Sequence, residues 1–305
     1  MIRTQGRLWS GRMGPGATPL HVIGGYLGSG KTTLVNRLLR EADGRRVAVL
    51  VNDFGDIDID GELIASIDDD VVSLTNGCIC CSLADGLVEA FTAVRTRLDH
   101  LDVVVVEASG VADPGTIARL GRAAGLHVGP LVIVADAASV ERRSRDRYVG
   151  DTVVRQLDAA DVCVVNKVDL VDAAALDRLR RWLAERAPAA RVIETVRGEI
   201  GWDAFDVTSS DHRTVDHSDD PVHEHDDSHR ARTFVYDTPL DRDRLMDETA
   251  RLPESVVRVK GIVALTDDPD RAWALHRSGG PVELERLDAP PPATSRVVHI
   301  TAGPS

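Results

Sequence analysis

The 305-residue sequence predicts an α/β protein, a doubly wound, mainly parallel sheet followed by a second, smaller α+β domain. Three observations carry this. Short apolar runs alternate with helical stretches from Leu20 to about Phe205. The run Asp102-Val-Val-Val-Val-Glu107 has no polar alternate, as expected of a strand covered on both faces in a parallel sheet. Finally, a polar, histidine-rich stretch at 206–231 interrupts the alternation, and the pattern after it is different.

Residues 1–17 contain Arg3, Arg7, Arg12 and several glycines but no apolar core of a secretory signal, and read as a disordered leader or a misassigned start before Met13. The first domain, 18–205, opens on a strand at Leu20 to Ile23, a glycine-rich loop and an amphipathic helix at Thr33 to Arg40. Further strands are expected at Arg46 to Val51, Asp70 to Leu74, Asp102 to Glu107, Val128 to Ala135, Asp161 to Asn166 and Arg191 to Thr195, with a helix at Leu83 to Leu98. The second domain, 232–305, offers strands at Thr233 to Tyr236, Ser255 to Leu265 and Arg296 to Ile300, and a helix at Asp241 to Leu252.

The glycine-rich loop, Gly25-Tyr-Leu-Gly28-Ser29-Gly30-Lys31-Thr32, is a complete phosphate-binding motif between a strand and a helix. Gly25, Gly28 and Gly30 let the backbone turn its N–H groups onto phosphate oxygens, with Ser29 and Thr33 completing the cradle. Lys31 supplies charge for the β- and γ-phosphates, and the Thr32 hydroxyl is placed for Mg²⁺. Glu107 ends a buried strand and so aims at the ligand crevice, where it would hold Mg²⁺ through water. The Gly110 N–H would contact the γ-phosphate. Downstream, Asn166-Lys167-Val-Asp169 closes another apolar strand. In GTP-binding proteins of the P-loop class the aspartate of this motif accepts from guanine N1–H and the 2-amino group, and a buried Asp169 facing adenine would stay unpaired, so GTP is expected over ATP.

These motifs, with Val51-Asn-Asp53-Phe-Gly-Asp56, Gly77-Cys78-Ile-Cys80-Cys81 and Glu107-Ala-Ser-Gly110, resemble the CobW family of P-loop GTPases. They occur in the family's order and span most of residues 20–200, with Thr233 to Tyr236 and Arg258 to Gly261 resembling its second domain. The resemblance implies a P-loop GTPase domain, GTP hydrolysis and metal delivery, as in zinc-regulated GTPase metallochaperones, cobalt chaperones of cobalamin synthesis and activators of nitrile hydratase. Asp53 and Asp56 stand where the family often has glutamate, one methylene shorter in reach.

Cys78, Cys80 and Cys81 precede the helix expected at Leu83, a position that lowers thiol pKa through the helix dipole. Such thiolates suit Zn²⁺, with Co²⁺ the other candidate, and the resemblance points to Asp56 as the remaining ligand. A disulfide is disfavoured in a chain without an export signal, and a catalytic thiol would leave two further thiols unexplained. Cys163, inside an apolar run, is a buried small hydrophobe. His212, His217, His223, His225 and His229, interleaved with acids in the 206–231 linker, would capture ions weakly.

A net charge of −13 argues against nucleic acid or an anionic membrane as the main partner, and no run of eighteen apolar residues is present. The expectation is a cytoplasmic protein, monomeric or weakly homo-oligomeric, serving a client metalloprotein. Loop 53–60 resembles a first switch segment that GTP and Mg²⁺ would order against the cysteines. Without a clear water-positioning residue, intrinsic turnover should be slow and depend on the client. The rival functions are a P-loop kinase, a zinc buffer without coupled release, and an enzyme-specific assembly factor that carries no metal.

Overall fold

The computed structural model describes residues 18–51, 71–74, 83–205, 229–278 and 281–302. Among them, seven strands form one parallel sheet: β1 (Pro19–Gly24), β2 (Val47–Val51), β3 (Val71–Leu74), β4 (Val103–Glu107), β5 (His127–Asp136), β6 (Val162–Asn166) and β7 (Arg191–Glu194). Their spatial order is β3-β2-β4-β1-β5-β6-β7. The chain moves to one side of β1 for β2 to β4 and to the other for β5 to β7. A crevice therefore opens at the carboxyl end of β1, where ligands bind in such sheets.

Helices cover both faces because successive strand residues point oppositely. Val103 and Val105 join a core with Leu34, Val35 and Leu38 of α1 (Lys31–Arg40) and with Trp202 and Phe205. Val104 and Val106 join the opposite core, with Phe91 and Val94 of α2 (Leu83–Arg95) and Ile117 and Ala118 of α3 (Pro114–Ala123). A short turn of helix, α4 (Val140–Arg143), leads to α5 (Gly150–Asp158). Val153 and Leu157 of α5 pack with Ala135, Cys163, Val165 and Leu183 of α6 (Ala173–Arg186). Cys163 is fully buried, and burial pushes its thiol up to about 12, so it stays a neutral hydrophobe.

The second sheet is antiparallel, in the order β11-β10-β9-β12-β8. Its strands are β8 (His229–Tyr236), β9 (Val256–Leu265), β10 (Asp268–Arg277), β11 (Glu283–Arg286) and β12 (Ser295–Ala302). On one face, Leu245 of α7 (Arg242–Ala250) packs with Val259, Val263, Leu275 and Val297. On the other, Val298, Ile300 and Ala302 enter the same apolar cluster as Tyr26 and Leu27 of the glycine-rich loop. β10 and β11 are absent from the sequence reading. β10 begins Asp268-Pro-Asp-Arg, which reads as a turn, and its pairing with β9 shifts register between Asp268 and Ala272. β8 begins at His229, which pairs with Ala302, so this histidine sits on a strand and not on the tether expected through residue 231.

On β1, His21 is 2% exposed, its ring centroid lies 4.8 Å from that of Phe205, and its Nδ1 has no hydrogen-bond partner among the described residues. Burial first, and the charge of His127 second, lower its pKa to about 4. The unfolded chain takes up this proton near 6.5, so the folded state is favoured above that pH and loses stability as pH falls toward 4. Between about pH 7.5 and pH 5, urea denaturation should show the wild type losing roughly 2 kcal/mol more than His21→Leu. Equal losses would contradict the buried, neutral imidazole.

Candidate functional site

The loop between β1 and α1 is held open by its own carbonyls, each taken by a donor. The Lys31 ammonium donates to the Gly25 carbonyl at 2.7 Å and to the Tyr26 carbonyl at 3.5 Å. An Arg143 Nη1 donates to Leu27, Lys167 Nζ to Gly28 at 2.7 Å, Asn166 Nδ2 to Ser29 at 2.9 Å, and the Leu34 N–H to Gly30 at 3.0 Å. Peptide N–H and C=O groups point oppositely, so drawing the carbonyls outward turns N–H groups toward the loop's interior, the arrangement that binds anions. The geometry requires glycine at two positions in particular. A Cβ at Gly25 (φ 130°) would lie 2.2 Å from the Val134 carbonyl, and one at Gly28 (φ 76°) would lie 2.4 Å from the Ser278 Cβ.

The start of α1 reinforces this. Gly30 precedes Lys31 in the left-handed conformation and offers no side-chain cap, which leaves the first N–H groups of a 10-residue helix to a ligand. Thr33 is exposed there and Ser29 is buried, its Oγ without a hydrogen-bond partner among the described residues. The Thr32 hydroxyl donates to Glu107 Oε1 at 2.7 Å. Glu107 is 3% exposed, so it faces the site and not solvent. Hydroxyl and carboxylate oxygens are the hard donors Mg²⁺ takes, and beside inward N–H groups this set fits a magnesium nucleotide. Gly110 packs directly on Leu27, and its carbonyl accepts from Gln156 Nε2 at 3.2 Å.

At the other end of the crevice, Asn166 is 2% exposed and bridges two loops, donating to Ser29 and accepting from the Gly198 N–H at 3.0 Å. Lys167 adopts a left-handed conformation (φ 64°), costly for a residue with a Cβ by about 1–2 kcal/mol. Its ammonium is fixed by the Gly28 carbonyl and by Asp136 at 3.1 Å. Asp169 is exposed at a single 3₁₀ turn (Val168–Leu170), not buried as the sequence argument assumed. A seated base must itself cover this carboxylate before the unpaired-acceptor penalty acts.

Sequence reasoning missed Asp136, Gly198, Gln156 and Arg143. Asp136 had a signal, since it ends the apolar run that was read only to Ala135, as Glu107 ends its own. The 196–198 turn, with Arg197 at φ 52°, had none beyond its glycine. Cys78, Cys80, Cys81, Asp56, His212, His217, His223, His225 and the 53–60 segment lie outside the described residues. Among the described residues no group of three or more His, Cys, Asp or Glu is placed to hold a metal ion. No helix there is long and apolar enough to cross a membrane.

Residues 19–194 match the nucleotide-binding domain of CobW/HypB/UreG, and residues 230–305 match the cobalamin synthesis protein cobW C-terminal domain. Over 303 residues the chain is 29% identical to the zinc chaperone CobW of a Sinorhizobium species, with 85% of each covered. It is 30% identical over 295 residues to the zinc chaperone CobW of Pseudomonas aeruginosa, covering 83% of this chain and 78% of that one. Among solved structures, Zn(II)-bound YjiA GTPase from E. coli is similar at 20% identity over 94% of each chain, with a TM-score of 0.47.

Asn166 supports a testable expectation for the protein without nucleotide. Asn166→Ala strips partners from the buried Ser29 carbonyl and the Gly198 N–H, and should lower stability to urea by about 1–3 kcal/mol. An unchanged unfolding midpoint would show that this bridge does not hold the loop.

Proposed function

We propose a GTP-controlled metal carrier as the function of this chain, which belongs to the CobW/HypB/UreG family of nucleotide-binding proteins. The observation that carries the reading is the 2.7 Å bond between Thr32 and Glu107, which joins two motifs 75 residues apart at the mouth of a loop whose carbonyls are all engaged. Lys31 would leave its own loop's carbonyls to meet the β- and γ-phosphates. Thr32 directly, and Glu107 through water, would hold Mg²⁺, which when bound offsets charge on the transferring phosphoryl group. Asn166 and Lys167 would brace the loop from the base side while Asp169 accepts from guanine.

Zinc is the proposed cargo, with cobalt the alternative, and Cys78, Cys80, Cys81 and Asp56 are the proposed ligands. The curated relatives named as zinc chaperones support this choice. On this reading, GTP orders the 53–60 segment and completes the metal site, and hydrolysis releases the ion to a client metalloprotein. The histidines before β8 would add weak capture. A kinase would need an acceptor, so phosphate release from GTP alone separates the two.

The assay is therefore phosphate release with GTP, Mg²⁺ and no acceptor. Lys31→Ala should abolish turnover with the fold intact, and undiminished turnover would sink the phosphate-loop assignment. ATP should compete poorly, and Asp169→Asn should shift preference from guanine toward xanthine, which has a carbonyl where guanine has its amine. Cys80→Ser should remove most of the tight zinc binding, because a neutral hydroxyl is a poor replacement for a thiolate. Retained tight binding in that variant would move the metal site elsewhere.

A further inference from the structure

Arg143 has no part in the proposed chemistry, yet it touches the phosphate loop and the second sheet at once. It is 9% exposed at the end of α4, and burial lowers its pKa. One Nη donates to the Leu27 carbonyl and the other to the carbonyl of Ser278, the residue after β10. The guanidinium carbon lies 5.1 Å from the centroid of the Tyr26 ring. Two main-chain carbonyls and an aromatic face thus meet this charge, an arrangement that the planar, multi-donor guanidinium spans and a single ammonium does not.

Two further contacts bear on the same place. Ser278 sits so near Gly28 that a Cβ there would lie 2.4 Å from its own. Tyr26 and Leu27 share an apolar cluster with Val298, Ile300 and Ala302 of β12. Ser278 follows directly from β10, which pairs with β9, which pairs with β12. Whatever fixes Ser278 therefore bears on the centre of that sheet.

We propose that Arg143 is a positioning residue that couples occupancy of the phosphate loop to the order of the second sheet. This rests on the reading of the loop as a guanine-nucleotide site. The carbonyl of Leu27 and the N–H of Gly28 belong to one peptide unit. An anion held at that N–H polarises the unit and makes the carbonyl a stronger acceptor, as in any chain of hydrogen bonds. The guanidinium is then held more firmly, and with it the Ser278 carbonyl. By linkage, a partner that orders the second sheet tightens nucleotide binding by the same factor.

The test is native-state amide hydrogen exchange on the full chain, with and without saturating non-hydrolysable GTP analogue, and with binding checked by calorimetry. In the wild type, amides of β9, β10 and β12 that exchange by local opening should slow about five-fold or more with the analogue. In Arg143→Ala at saturation that response should vanish, while ethylguanidinium should restore it and ethylammonium should not. A wild type that binds the analogue without any response in the second sheet overturns this coupling alone. A response of wild-type size in Arg143→Ala does the same. Failure of the wild type to bind the analogue overturns the nucleotide reading and the coupling together. Should Arg143→Ala not fold, Arg143→Lys, which keeps the charge but cannot span both carbonyls, must show the same loss of response.

Discussion

The outward pull on the carbonyls of residues 25–30 is the constraint on which the rest of the site depends. A six-residue loop left to itself would use those acceptors in local turns and present few N–H groups in one direction. Here a lysine, an arginine, a second lysine and an asparagine take the carbonyls of Gly25, Leu27, Gly28 and Ser29, and the first lysine also shares that of Tyr26 with the Ser29 N–H. Three of these donors are cations, and hydrogen bonds to charged groups contribute about 1.5–3 kcal/mol each. That is enough to offset the left-handed backbone of Lys167.

The donors come from different parts of the chain, which makes the loop a junction. Asn166 and Lys167 arrive from the end of β6, so under the proposed reading a base beside them and a phosphate in the loop would share the same two side chains. Arg143 arrives from the short helix that follows β5 and carries the connection to Ser278. Lys31 comes from the first residue of α1, and under the proposed reading its ammonium would exchange these carbonyls for phosphate oxygens. A polyanion there would also offset the charge of the buried Lys31 and Arg143, which would favour occupancy electrostatically.

The sheet, the phosphate loop and the strand-end residues Glu107 and Asn166 were legible because each depends on local sequence. A continuous apolar run has to be a covered strand, and its last residue has to lie at the carboxyl edge. The second sheet was legible only at β8, β9 and β12. β10 opens on charged residues and a proline, and β11, Glu-Leu-Glu-Arg, holds a single apolar residue, so neither presents enough of the period of two that marks a half-buried strand. Arg143 was invisible for another reason. Val140-Glu-Arg-Arg143, with two arginines and a glutamate in four residues, has the composition of an exposed helix, and only the close approach of β10 to the loop makes Arg143 a buried bridge. Asp169 is a different case, since the spacing of its motif carried no information on burial, and the exposure of its carboxylate removes the premise on which the energetic argument relied.

The proposed account stands or falls on whether nucleotide and metal are coupled. The direct measurement is the Zn²⁺ dissociation constant of the full chain in Mg²⁺, with a non-hydrolysable GTP analogue and with GDP. A coupling of about 1–3 kcal/mol predicts roughly 5- to 150-fold tighter zinc with the analogue. Equal constants in the two states would contradict it and leave a GTP-binding protein that holds zinc without controlling it.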